Sequence, residues 1–366
     1  MARRATLTHD ALVALGGDKL AKLILDEVQH NAPFKRIITA ALAGTNGPDA
    51  VAAIIDRRLA SLERARGYIE WDKRRAFAAD LKATVVTIVD ELGGVDPRAA
   101  VDRILRFLSS AEGVFERVDD SSGSVGGIYQ DAAAALPETA QRMPADDRLH
   151  LLDRLVPLLL QDDYGLIEEA VRGIISILPA EELTSFDLAL RQALPEVSPR
   201  DGARDWARQS RRERILKARK AIADIKGDVD AFMKLEAQRP EHARDNLAIA
   251  ERLLQAGRCA EALQWARRPN RPGLRAMDRH DLADASGGID VLERSRVGLE
   301  IRILAALGDR EGAQQLRWKT FQATLEIDLL REYVAKLPDF EDEEALDGAL
   351  RMSPRILIAT KRWSSS

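Results

Sequence analysis

AERLLQAGRCAEALQWA, residues 250–266, and IRILAALGDREGAQQLR, residues 301–317, decide how this chain folds. They align on Gly257 with Gly308 and on Ala262 with Ala313. In each, an apolar-periodic run ends at the glycine and a second run follows it. A glycine there supplies the left-handed residue that stops a helix without a steric penalty. The small residue beyond it lets the second helix approach its neighbour closely. Helix, glycine turn and helix with a small contact residue is the logic of the tetratricopeptide repeat. The offset is 308 − 257 = 51 residues, against about 34 in a regular array. The stretch 269–289, with its Pro, Gly and Asn content, accounts for the surplus. Two units are few for a stack, so the helices before them are expected to continue it.

Outward from these stretches the same period recurs. Between Asp72 and Leu92 the residues Phe77, Leu81, Val85, Ile88 and Leu92 fall at steps of three or four, one face of a helix. Ile167, Val171, Ile174, Ile175 and Leu178 do likewise, as do the runs at 18–28, 49–62, 97–108 and 147–160. Pro157 is expected to kink or split the last of these. Pro33, Pro48, Pro97 and Pro137 are placed near helix starts, where a missing N–H costs nothing. Alternating strand patterns are absent over any useful length. The expected fold is all-α: an N-terminal helical bundle over residues 1–120, a middle helical segment over 121–197, and a long basic helix with tetratricopeptide-like repeats over 198–366. The last would form an irregular α-solenoid. The loop DDSSGSVGG, 119–127, and the stretches Pro195–Pro199 and Pro269–Ile289 mark the three expected breaks.

Bulk composition bounds the function classes. At 366 residues, two or three packed units are expected rather than one. The net charge of −4 gives no global pull toward nucleic acid or anionic lipid. Cys259 is the single cysteine, which excludes an intramolecular disulfide and a cysteine-rich metal site and fits a reducing compartment. Met1-Ala2-Arg3-Arg4 is followed by no apolar segment, and no run approaches ~20 apolar residues. A cytoplasmic location without a membrane partner is therefore expected.

Four stretches resemble members of an uncharacterised bacterial family of long helical proteins, defined as a domain of unknown function. They are YIEWDKRRAFAADL at 68–81, GVFERVDDSSGSVGGIY at 113–129, AERLLQAGRCAEALQWA at 250–266, and AQQLRWKTFQATLEIDLLREYVAKLPDF at 313–340. The resemblance implies a helical fold and a bacterial cytosolic origin. It implies no activity.

No motif forces a chemistry. His9, His30, His150, His242 and His280 stand at no metal-ligand spacing, and neither HExxH nor GxxxxGK[ST] occurs. No catalytic, cofactor or metal residue is assigned. Three clusters are candidate partner-binding residues. Trp71, Asp72 and Arg75, within EWDKRR at 70–75, set an aromatic beside both signs of charge at a helix start. That suits an interface anchor, and equally a core tryptophan with Asp72 at the positive helix end. Asp119 and Asp120, with Ser121 and Ser122, offer ligands to a hard cation or a basic peptide; the competing reading is a helix-capping loop. Arg204, Arg208 and Arg212 continue from Arg200 at every fourth residue of 198–220, where nine Lys or Arg against three acids leave 9 − 3 = +6. Such a stripe can meet phosphates, or can be an exposed connecting helix whose acids pair with its arginines. The acids Asp339, Glu341, Asp342, Glu343 and Glu344 suit a helix N-terminus.

The function expected from these features is a non-catalytic protein–protein interaction or scaffold protein that presents a helical-repeat surface to a protein or peptide. The alternative is a nucleic-acid-associated protein using helix 198–220. Third comes an enzyme whose site is assembled from distant acids and arginines.

Overall fold

The computed structural model describes residues 7–194, 206–241, 244–268, 291–338 and 341–352. Among these residues every regular element is helical, and the one extended pairing is a parallel bridge between Ile69 and Val118. None of the helices is long and apolar enough to cross a membrane. The chain divides into two compact units, Met1–Ile225 and Lys226–Ser366.

The first unit holds α1 (His9–Val13), α2 (Gly17–His30), α3 (Ala32–Gly44) and α4 (Pro48–Arg64). A 3₁₀ turn at Trp71–Lys73 leads into α5 (Arg74–Val86), which widens into a π-helical turn at Thr87–Leu92. Then follow α6 (Pro97–Ser109), α7 (Ala111–Phe115), α8 (Ser124–Gln141), α9 (Ala145–Leu160), α10 (Leu166–Ile177), α11 (Ala180–Gln192) and α12 (Trp206–Ile225). The π turn closes with the Gly93 N–H on the Ile88 carbonyl at 3.0 Å and keeps Thr87, Ile88 and Leu92 in the core.

One apolar core runs from Val51 to Ile222 and includes Ile104, Tyr129, Leu155, Ile174 and Ile215. Val118 and Ile128, on either side of the 119–127 loop, belong to it, and so does Val125 within the loop. That loop therefore is no domain boundary, and the middle segment is part of the first unit. Residues 195–205, with the second expected break, lie outside the described residues, as do 269–290 with the third. At the centre Phe107 stacks on Tyr129 with ring centroids 4.4 Å apart, and Phe115 meets Tyr129 edge-on at 5.2 Å.

The prolines part company with the sequence reading. Pro33, Pro48 and Pro97 occupy first turns, as expected. Pro137 instead lies inside α8, and Pro157 inside α9 without splitting it. The Pro137 ring is accommodated by α10: a Cβ on Gly173 would stand 2.4 Å from Pro137 Cγ. A bare glycine is what lets the two helices close over the ring.

The basic helix departs further. Helix α12 is no exposed connector, because Ile215, Leu216, Ala218, Ile222 and Ala223 are buried, and it packs on α9, α10 and α11. It belongs to the first unit rather than to the repeats.

The second unit contains α13 (Val229–Glu236), α14 (Asn246–Gln255), α15 (Cys259–Ala266), α16 (Val291–Ala306), α17 (Arg310–Thr324), α18 (Ile327–Val334) and α19 (Glu341–Met352). From α14 onward each helix packs against the next. Both glycine turns form as read. Gly257 and Gly308 have φ of 75° and 81°. The following N–H groups reach back to the Leu253 and Leu304 carbonyls at 2.8 and 3.0 Å, the bond that closes a helix on a left-handed residue. Ala262 and Ala313 are buried at the contacts. Gly227 likewise takes a positive φ, 64°, ahead of α13, where Asp228 caps the Ala231 N–H at 2.8 Å. Trp318 packs with Phe321 and Tyr333, their centroids 5.4 and 5.0 Å from its own.

Candidate functional site: the Trp71–Arg117 corner

After α4 the chain turns back along the start of the segment that follows α7. The Ile69 N–H donates to the Arg117 carbonyl at 2.9 Å, and Ile69 bridges Val118. Two stretches that sequence alone kept apart, 68–81 and 113–129, are thereby stitched together. The 3₁₀ turn then throws Trp71 outward. Its side chain is 69% exposed, and Tyr68 is 60% exposed. The Arg74 guanidinium lies over the Trp71 ring at 5.6 Å, and Arg74 Nη1 donates to the Asp119 carbonyl at 3.2 Å. An arginine over an indole face is attracted by the ring quadrupole, so the pair is held rather than loose. Trp71 is therefore no core tryptophan. Asp72 and Arg75 are exposed beside it.

Asp119 and Asp120 are spent differently. Asp120 Oδ1 accepts from the Val125 N–H at 2.9 Å and from Ser124 Oγ at 3.3 Å, while Oδ2 accepts from the Gly126 N–H at 2.6 Å. It satisfies the free N–H groups at the start of α8. Gly123, with φ 69°, allows the chain to turn there. Asp119 Oδ1 accepts from the Ser121 N–H at 3.1 Å. The geometry supports the capping reading of this loop. Among the described residues no three His, Cys, Asp or Glu side chains gather as a metal would require.

Behind the corner lies a cluster of charged side chains of both signs. Asp80, nearly buried in α5, pairs with both Arg36 and Arg58. Burial, then Arg36 and Arg117, hold the Arg58 guanidinium below its usual value. Arg117 is 9% exposed, donates Nε to the Gly113 carbonyl at 3.1 Å, and lies over the Phe77 ring at 5.4 Å. Tyr129 shares a hydrogen bond with Ser110 Oγ at 2.8 Å and is pushed up to about 12 by burial. A surface cleft of about 550 Å³ opens here, lined by Glu63, Arg66, Ser110, Glu112, Glu116 and Arg117 among others. Sequence reasoning missed Arg58, Arg66 and Arg117. Arg117 sits in a quoted stretch, yet a lone arginine between Glu116 and Val118 carries no signal until the fold buries it.

The third cluster is dispersed. Arg204 lies outside the described residues, Arg208 is exposed and Arg212 half-buried. Further along α12 the cations turn inward. Arg214 donates to the Leu160 carbonyl at 3.1 Å and to Asp163 at 3.0 Å, Lys217 to Glu168 at 2.9 Å, and Arg219 to both oxygens of Asp187 at 2.8 and 3.2 Å. The acids that neutralise this helix thus come from the loop after α9, from α10 and from α11.

Fold and corner together define an all-helical protein with an exposed aromatic–arginine surface on its first unit and glycine-turned helix pairs in its second. The chain belongs to a family of unknown function, DUF6880, whose model matches residues 2–356. No curated protein matches it, and no solved structure does.

Proposed function

We propose that this protein is a non-catalytic, cytoplasmic binding protein that holds a protein or peptide partner, with the Trp71 corner as an anchor of the first unit. In this reading the first unit is a helical bundle and the second an irregular tetratricopeptide-like solenoid. The observation that carries it is Trp71. A large aromatic left 69% exposed, with Arg74 over its ring and Arg74 tied to the Asp119 backbone, is ordered before any partner arrives. Tryptophan and arginine dominate interface hot spots, and pre-ordering lowers the entropy lost on binding. The helix pairs at Gly257 and Gly308 support the solenoid part, since such stacks offer extended binding surfaces.

The nucleic-acid reading has less behind it. Arg214, Lys217 and Arg219 spend their charge on acids of their own unit. Tagged full-length protein recovered from its native host, with mass spectrometry of what accompanies it, tests the proposal. One protein should recur at comparable abundance; repeated recovery of the chain alone, or of nucleic acid lost steeply with salt, would overturn it.

A further inference from the structure

We propose that two copies of this chain associate through α2, the two helices lying antiparallel about a two-fold axis beside Leu23. The proposal does not rest on the Trp71 reading.

Helix α2 has an apolar stripe, yet neither it nor α1 before it contains a buried residue. Leu20, Ile24 and Val28 stay half-buried where α2 packs on α3. Beside that stripe Leu23 is 53% exposed. Leu12, Val13, Leu15 and Leu42 are exposed as well. Single exposed leucines are ordinary, but such a concentration within residues 7–42 marks an interaction surface.

The charges of α2 point to what covers it. Lys19, Leu23 and Glu27 follow at four-residue steps and share one stripe. Lys22 and Asp26, also four apart, run beside it. Cations thus hold the amino-terminal half and carboxylates the carboxy-terminal half. A lone helix favours the reverse order, because its dipole draws acids to the first turn and bases to the last. A lysine placed four residues before an acid is also the weaker orientation of such a pair. Asp18 and His30 stand at the ends the dipole favours; the four charges between them do not. Nor are those four neutralised within the chain. Among the described residues none of them meets an opposite charge at ion-pair distance, and Glu27 only accepts from Asn31 Nδ2 at 2.8 Å.

A second copy laid antiparallel resolves this. Two-fold symmetry makes the interface the same patch on both chains. Leu23 meets Leu23, and Lys19 faces Glu27 of the second copy on both sides of the axis. Lys22 and Asp26 fall opposite one another in the same way, and the two helix dipoles oppose. A parallel pairing would set like charges together, so the charge order also selects the orientation. An anionic lipid surface would instead call for cations along the whole polar face, whereas α2 carries Asp18, Asp26 and Glu27 against Lys19 and Lys22.

Sedimentation velocity on the full chain tests the proposal. The wild type should be dimeric at about 50 µM and should dissociate on dilution. Leu23→Asp should weaken association at least about tenfold. The double variants Lys19→Glu with Lys22→Glu, and Asp26→Lys with Glu27→Lys, should each be monomeric alone. Mixed in equal amounts they should form a dimer again, which misfolded variants would not do. Circular dichroism checks that each variant is helical. A wild type that stays monomeric up to about 100 µM would overturn the proposal. A dimer indifferent to Leu23→Asp, or folded charge variants that stay monomeric when mixed, would overturn it too. A monomeric wild type that floats with phosphatidylserine vesicles would overturn it in favour of a lipid surface.

Discussion

A methyl group on Gly173 tests the packing of the first unit at its tightest point. The added Cβ would meet Pro137 Cγ at 2.4 Å, where carbon atoms rest at about 3.5–4.0 Å. The proline ring is bound to its own backbone and cannot swing aside as a long side chain would. Overpacking of this order costs about 1–3 kcal/mol. Replacing a helical glycine by alanine returns about 1 kcal/mol. The net loss for Gly173→Ala is then about 1 kcal/mol, and at most about 2. In a unit of this size that lowers the melting temperature by about 2–8 °C. Thermal unfolding followed by circular dichroism measures it. The sign must reverse in the Pro137→Ala background, where the opposing ring is gone and only the helix gain remains. If Gly173→Ala is neutral or stabilising with Pro137 in place, the argument from the α8–α10 contact is wrong.

Asp120→Ala removes the cap of α8 and should cost about 1–2 kcal/mol in chemical denaturation, while calcium added to the wild type should leave its melting temperature unchanged. Gly257→Ala and Gly308→Ala force a Cβ into the left-handed region and should each cost about 1–2 kcal/mol, with asparagine tolerated better than alanine at both. Acid stability has a predictable sign at Glu63, which the Arg106 hydrogen bonds hold below the usual glutamate range. The contribution of that pair is fully present above the unfolded value, about 4.3, and is lost as pH falls through the lower folded one. Melting curves between about pH 5 and about pH 3 should therefore flatten in Glu63→Gln relative to the wild type.

The helices were legible because their signal is local. A face such as Phe77–Leu81–Val85–Ile88–Leu92 is written within a few turns, and so are the glycine stops at Gly257 and Gly308. Even so, the Gly227 turn escaped notice, because Phe232 stands five residues after it where Ala262 and Ala313 stand after theirs. What depends on distant partners was not legible. The α12 cations read as a solvated stripe because Asp163, Glu168 and Asp187 lie tens of residues upstream. Pro137 read as a helix start because nothing near it announces Gly173. At the site, Trp71 and the capping acids were visible as types, and their roles were left open between surface and core, or ligand and cap. The bridge of Ile69 to Val118 brings their two stretches together. A parallel contact between two short irregular segments has no period to read.

The central claim is that Trp71 anchors a partner, and one comparison tests it most directly. The protein recovered with the wild type from its native host would be purified and titrated by calorimetry into the wild type and into Trp71→Ala. Trp71 is exposed, so the variant should match the wild-type melting temperature to within about 0.5 kcal/mol of stability. Its affinity for the partner should nonetheless fall at least about thirtyfold, the loss of a hot-spot side chain. An affinity unchanged by Trp71→Ala would contradict the account.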